Sequence, residues 1–372
     1  MAKNIYGTTE LWSYLQETKK PIVLYGMGNG ADKIISVLNK KGLDFSDVFA
    51  SDDFVRDKLF HGKKILHLSD IEKKYDDFII LVCFGSSLPD VMDRIKEISK
   101  RHELYAPDVP VAGEELFDGE FFIKNKEKIE KARSLLSDER SREIYDEIIR
   151  YKLDGNISHF QNTDSDSPLF SEYLSGGYGA YIDLGAFNGD TIEEALSAFP
   201  GIKKAVAFEP SERVFKKLSE NTKKYENIDL TLINACASNR DGISGFSDGG
   251  GRNSLITNDI NSKKTASGAK LKETKLKKTD SVTDLSGEAL LMKFDVEGAE
   301  KEAIEGARKT IVSNMTELCV SLYHRSEDIF SLPILINEIL PYHKLFVRKT
   351  PYIPAWEINL YAVVNNIPRN SR

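Results

Sequence analysis

The stretch "HKLFVRKTPYIPAWEINLYAVV", residues 343–364, holds two runs rich in β-formers with no room for a helix between them. Strands joined that closely pair antiparallel, because a parallel crossover takes a dozen or more residues. Upstream, strand-like runs read at "GAYIDLG", "KKAVAFEP", "IDLTLINACAS", "ALLMKFDV" and "ELCVSLYH", with a helical pattern after most of them. Such alternation builds a parallel sheet. The C-terminal part of the chain therefore reads as a parallel α/β sheet that finishes in an antiparallel hairpin.

The N-terminal part alternates in the same way. "PIVLYG" is a buried-strand run, and "ADKIISVLNKKG" is an amphipathic helix closed by Gly42. "SDVFASDD" reads as a strand ending in acids, "KKYDDFIILVCFGS" contains another strand, and "LPDVMDRIKEISKR" is a second helix. Prolines and a glycine in "YAPDVPVAG" break the pattern. Residues 120–155 are helical and charged, with Ser137 as a cap, an apolar stripe of Ile144, Tyr145, Ile148 and Ile149, and Gly155 as the stop. The expected division is 1–112, a helical linker 113–160, and 161–372.

A chain of 372 residues is long enough for two cores. With 41% hydrophobic and 29% charged residues it has the balance of a soluble globular protein, and a net charge of −7 argues against nucleic acid as a partner. The longest apolar runs, such as "FIILVCF", are strand-length, and the first residues lack an apolar core, so neither a membrane span nor a secretory signal is expected. Cys83, Cys236 and Cys319 lie far apart, which suggests reduced thiols in a cytoplasm and neither disulfide framework nor zinc cluster.

Two glycine turns follow strands. In "YIDLGAFNGDTIEEAL", residues 181–196, Gly185 and Gly189 miss the G-x-G-x-x-G spacing, and Phe187 stands where a pyrophosphate needs close approach. A cofactor without phosphate suits the loop better. S-adenosylmethionine is one, with an ammonium and a sulfonium that Asp183 is placed to face, and a carboxylate for Thr191 at the helix start. Glu209, at the end of the next strand, is placed to accept both ribose hydroxyls of an adenosine, a role that nicotinamide cofactors share.

"YIDLGAFNGDT", "VAFEPSERVFKKL", "INACASNRDG" and "LLMKFDVEGAEKEAIEGA" resemble the successive motifs of the FkbM-type S-adenosylmethionine-dependent methyltransferases over residues 160–365. The family pattern D-x-G-A-N-x-G is matched at Asp183, Gly185, Ala186 and Gly189, with Phe187 in place of the usual Asn. The resemblance implies a seven-stranded sheet ending in an antiparallel hairpin, with Cys236 and Ala237 near the adenine. It also implies methyl transfer to oxygen, largely on hydroxyls of sugars, glycans and natural products.

An alcohol oxygen needs its proton removed before it attacks, so a base or a metal is expected at the strand ends. "KFDVEGAE" puts Asp295 there with Glu297 and Glu300 beyond it, and "CVSLYHRSED" puts His324 at the end of the next strand. Asp295 and His324 read as an oriented base pair or as two ligands of a divalent metal. Glu300 reads rather as a first-turn acid of a helix. "SDGGGRNSLI" reads as a lid touching the acceptor through Arg252, Asn253 and Ser254, with an ordinary loop as the alternative. The lysine-rich run after it alternates as expected for a charge-protected sheet edge.

The other turn, "YGMGNGA", satisfies G-x-G-x-x-A with Gly26, Gly28 and Ala31 around Gly30, and Asp52 and Asp53 lie where a ribose ligand belongs. It resembles the small Rossmann-like domains that precede sugar-modifying transferases, some of which bind a nucleotide-sugar. Such binding and a purely structural descendant are both open. The whole chain is thus expected to be an α/β protein of two Rossmann-like units, acting as an O-methyltransferase on a saccharide, glycan or natural-product hydroxyl. The alternatives are an NAD-dependent sugar oxidoreductase or epimerase run by the first loop, and a non-catalytic nucleotide-sugar-binding protein.

Overall fold

The computed structural model describes residues 4–51, 59–164, 169–170, 173–247, 255–257, 272–282 and 284–364. Its N-terminal sheet contains β1 (Ile22–Tyr25), β2 (Asp47–Phe49), β3 (Leu59–Phe60), β4 (Lys63–Leu66), β5 (Ile79–Val82) and β6 (Glu103–Tyr105), in the order β3-β4-β2-β1-β5-β6. All neighbours are parallel except the short β3–β4 pair at one edge. β1 and β5 are buried along their whole length, which is why they read as continuous apolar runs. Helix α1 (Asn29–Lys40) follows β1 and ends two residues before Gly42, whose φ of 72° closes it.

Two long helices, α2 (Gly119–Leu135) and α3 (Glu139–Asp154), come next. Asp138 rather than Ser137 caps α3, its carboxylate accepting from the Ser141 N–H at 2.8 Å. Ser137 instead exchanges hydrogen bonds with the backbone of Leu345, tying the linker to the last hairpin. The stripe Ile144, Tyr145, Ile148 and Ile149 is fully buried, and Gly155 ends α3 at φ 66°.

The C-terminal part carries β7 (Ala180–Leu184), β8 (Lys204–Phe208), β9 (Asp229–Ile233), β10 (Cys236–Ala237), β11 (Gly242–Ser247), β12 (Leu255–Thr257), β13 (Lys272–Lys277), β14 (Ala289–Phe294), β15 (Met315–Ser321), β16 (Lys344–Lys349) and β17 (Ile358–Val363). Seven of these form one sheet in the order β9-β8-β7-β14-β15-β17-β16. β17 runs antiparallel to both β15 and β16, so the hairpin inserts its second strand beside the parallel set. The strand order reverses between β7 and β14, whose parallel pairing puts their C-terminal ends side by side. That reversal is where an open parallel sheet leaves a crevice for a ligand.

Two expectations need correction. "IDLTLINACAS" is two strands, not one: Asn234 donates to the carbonyls of Glu209 and Pro210, and the chain leaves the large sheet there. It joins a four-stranded sheet of order β10-β13-β11-β12. The lysine-rich strand β13 pairs with β11 along Lys272–Leu276 but with β10 only at Leu276 and Lys277, so the edge reading fails at its end and holds for the charged residues before it.

The two halves are packed together. The loop between β16 and β17 meets the N-terminal sheet through a reciprocal backbone pair, Ser86 N to Ile353 O at 2.8 Å and Ile353 N to Ser86 O at 3.1 Å. Gly85 makes this approach possible, since a Cβ there would lie 2.6 Å from the Trp356 ring. The Ala112 N–H also donates to the His324 carbonyl at 2.8 Å. Among the described residues no helix is long and apolar enough to cross a membrane.

Candidate active site

A cavity of about 370 Å³ opens at the C-terminal ends of β7, β8 and β14. The turn after β7 forms one wall. Gly185 has φ 94°, and a Cβ on it would stand 1.9 Å from the Asp295 carbonyl oxygen, so the two strand ends touch through a position only glycine fills. Gly189, at φ 92°, caps α4 (Asp190–Ala198). Phe187 takes φ 46° and is 44% exposed on the cavity wall. Bulky residues seldom adopt that conformation, whereas Asn does so readily. Glu297 and Glu357 also have positive φ, at 54° and 59°, and both line the same cavity. Among the described residues three of the five non-glycine positive φ values therefore sit around one space, a concentration typical of functional sites.

Among the described residues five carboxylates line the cavity, those of Asp190, Glu209, Asp295, Glu297 and Glu357, against one ammonium, Lys293. Glu209 lies just beyond β8 and accepts from the Ser211 N–H at 2.7 Å. Cys236 and Ala237 are part of the wall, and burial together with the Glu209 charge pushes the Cys236 thiol up to about 12. Thr191 lines the cavity, but its hydroxyl donates to Asp183. Asp183 itself is fully buried beneath the wall, with its Oδ1 3.7 Å from the Lys293 ammonium. Ala186 is likewise buried behind the turn. The loop therefore does not turn the Asp183 carboxylate into the open space. The reason is register: Asp183 and Lys293 are Cα partners on β7 and β14, so they share a face and pair.

Lys293 also reaches Asp295, at 3.3 Å. Burial works against its charge, but Asp295 and Asp183 outweigh burial and hold the ammonium above the ordinary lysine value. Burial conversely raises the Asp183 carboxyl, against the pull of Lys293 and Thr191. The sequence signal for Lys293 was a cation inside the apolar run "ALLMKF", which a buried strand tolerates only when paired.

Behind Asp295 and Glu297 lies His324, with no exposed surface and outside the cavity lining. Its Nε2 faces Asp295 Oδ1 at 3.4 Å and Glu297 Oε2 at 3.6 Å, and its Nδ1 faces Glu300 Oε1 at 2.8 Å. Burial alone would lower the imidazole, yet Glu300, Asp295 and Glu297 together raise it to about 10. Glu300 is 1% exposed and opens a short helix, Glu300–Gly306. It accepts from the N–H of Val296 at 2.8 Å and of Gly298 at 3.4 Å, besides facing His324. The first-turn reading of Glu300 thus omits its main partner.

Asp295, Glu300 and His324 each offer one donor atom, and these lie within 4.8 Å of one another. An oxygen–oxygen–nitrogen set of this kind suits a divalent transition metal, provided the imidazole gives up its proton.

The remaining predicted positions divide. Gly26 and Gly30 are glycines for packing: a Cβ on Gly26 would stand 2.5 Å from the Phe84 ring, and one on Gly30 would stand 2.2 Å from the Cys83 carbonyl. Gly28 faces open space at φ 94° before α1. Asp52, Asp53, Arg252, Asn253 and Ser254 lie outside the described residues. Glu357 and Asn359, from the last hairpin, went unnoticed in the sequence, which gives no local sign that they return to the crevice.

Residues 183–342 match the family model described as the methyltransferase FkbM domain. A crystal structure of the methyltransferase FkbM from Methylobacillus flagellatus KT is similar over 93% of this chain and 90% of that one, with a TM-score of 0.69 and 16% identity, a likeness of fold. An rRNA methylase from Streptococcus thermophilus aligns with 51% of this chain and 89% of its own at TM-score 0.32 and 12% identity. A methyltransferase from Streptococcus mutans, in complex with SAH, aligns with 52% of this chain and 94% of its own at TM-score 0.32 and 12% identity. No curated protein matches the sequence. The family match and the seven-stranded sheet with its antiparallel end make residues 183–342 a methyltransferase domain of the FkbM type.

Proposed function

We propose that the FkbM methyltransferase domain moves a methyl group from S-adenosylmethionine to an oxygen of a saccharide, glycan or similar hydroxyl compound. The observation that carries this reading is the charge of the cavity, among the described residues five carboxylates around one ammonium at the reversal of a parallel sheet. Such a lining attracts a sulfonium and an ammonium and repels a pyrophosphate, which disfavours NAD. Glu209 is placed for ribose hydroxyls, and the small side chains of Cys236 and Ala237 leave an apolar seat for a base.

When bound, S-adenosylmethionine supplies an activated methyl group: a C–O bond forms as the C–S bond breaks and its electron pair returns to sulfur. The protein's share is position and proton removal. Asp295 and Glu297 are the carboxylates that line the cavity and face inward to His324. One of them accepts the hydroxyl proton. His324, shut away from the cavity, is a positioning residue that fixes both carboxylates through its charge.

A divalent metal at Asp295, Glu300 and His324 is a second reading, favoured by their convergence. Calorimetry with S-adenosylmethionine and with NAD tests the donor: binding of NAD alone would reverse the assignment. Turnover that persists unchanged in a chelator removes the metal.

A further inference from the structure

A second cavity, of about 410 Å³, lies at the C-terminal ends of β1 and β5. Its walls come from both halves of the chain: Asn29 and Lys33 on α1, Phe84 after β5, Val111 before the linker, and Pro354 and Trp356 from the β16–β17 loop. That loop is shared between the two cavities. Pro354 and Trp356 face the second, while Glu357 and Asn359 face the first. The two halves also meet beside Val111, where the Ala112 N–H donates to the His324 carbonyl at 2.8 Å. The Lys33 ammonium feels the charge of Glu297 from the other side.

The two spaces have opposite charge. The lining of the second contains no carboxylate among the described residues, and Lys33 is its cation. The Lys33 ammonium donates to two neutral carbonyls, those of Pro110 at 2.9 Å and Val111 at 2.8 Å. Burial lowers its pKa, with Glu297 pulling the other way. A half-buried cation whose hydrogen bonds, among the described residues, go to neutral carbonyls gains from an anionic ligand. Trp356 meanwhile offers a flat aromatic face of the kind that receives the apolar side of a ring.

We propose that this second cavity is the acceptor subsite of the methyl transfer, and that it takes an anionic sugar, phosphorylated or carboxylated, with its charge at Lys33 and its ring against Trp356. The hydroxyl to be methylated then points across the Glu357 partition toward Asp295 and Glu297. The inference rests on the methyltransferase reading above and adds the acceptor's chemistry to it. It also gives the N-terminal half a part in the same reaction.

The chain has two tryptophans, and Trp12 is 2% exposed, so a ligand at the second cavity acts on the fluorescence of Trp356. We expect glucose 1-phosphate, titrated into the full-length protein, to quench that fluorescence saturably, and glucose at the same concentrations not to. Lys33→Met should weaken the phosphosugar at least tenfold and leave S-adenosylmethionine affinity, read by calorimetry, unchanged. Lys33→Arg, which keeps the cation, should stay within about threefold of the parent and guards against a merely structural effect. Absence of saturable quenching, equal quenching by glucose, or an unchanged response in Lys33→Met overturns the assignment. If S-adenosylmethionine binds while glucose 1-phosphate does not, the subsite falls and the methyl-donor reading stands. If the phosphosugar binds and S-adenosylmethionine does not, the donor reading is the one that fails.

Discussion

The Nδ1 of His324 stands 2.8 Å from the Oε1 of Glu300, and neither side chain has a solvent-exposed atom. An imidazole so enclosed is held charged by the carboxylates around it, Glu300 on the Nδ1 side and Asp295 and Glu297 on the Nε2 side.

That arrangement sets a pH dependence. The His324 pKa is raised to about 10 in the fold from an ordinary 6.5. Its contribution to stability is therefore complete below pH 6.5 and is lost as pH rises through about 10. His324→Gln should destabilise by about 3–5 kcal/mol at neutral pH, the usual cost of leaving buried charges unpaired. Thermal midpoints of both proteins between pH 6 and 10.5 should converge toward the alkaline end. A gap that stays constant would rule out the charged imidazole.

Lys293→Met should cost about 3–5 kcal/mol, because it strands the buried Asp183 carboxylate and takes the cation from Asp295. Adding Asp183→Asn should recover part of the loss, as a double-mutant cycle in denaturant would read. Independent, additive effects would mean that the two groups are not coupled.

Gly185→Ala should destabilise by at least about 2 kcal/mol, since the new Cβ would lie 1.9 Å from the Asp295 carbonyl and the backbone has φ 94°. Urea midpoints measure this directly. A neutral substitution would show that the two strand ends separate easily.

Phe187→Asn should raise the unfolding midpoint by the equivalent of about 1 kcal/mol, because Asn tolerates φ 46° and the phenyl ring is 44% exposed. A fall in the midpoint would mean that the ring contributes packing that outweighs the backbone gain.

Glu209→Ala should lower S-adenosylmethionine affinity roughly tenfold or more and cost about 1–3 kcal/mol of stability, because the buried Ser211 N–H loses its acceptor. Calorimetry reads the first and differential scanning the second. Full affinity in the variant would remove the ribose role.

The large sheet was legible because its information is local: apolar strand runs, helix-length spacers, and a hairpin too short for a crossover at residues 343–364. Gly185, Glu209 and Asp295 were legible for the same reason, as each ends a recognisable strand. Lys293 was hidden because its role depends on which strand lies beside β14, and pairing across a reversed strand order has no local mark. His324 was found at its strand end, but its enclosure behind Asp295 and Glu297 depends on Glu300 folding back from the next helix. Trp356 lines a cavity only through the docking of the two halves, and Glu357 only through the return of the last hairpin to the crevice.

The reciprocal backbone pair between Ser86 and Ile353 bears on how this chain can be dissected. Cutting it near residue 112 would take Trp356 away from Lys33 and the Ala112 N–H away from the His324 carbonyl in one step. The second cavity would be divided between the fragments, whereas every residue lining the first lies C-terminal to the cut. The two modules that the sequence suggests thus share one cavity, and a fragment carrying only one of them would lack part of its wall.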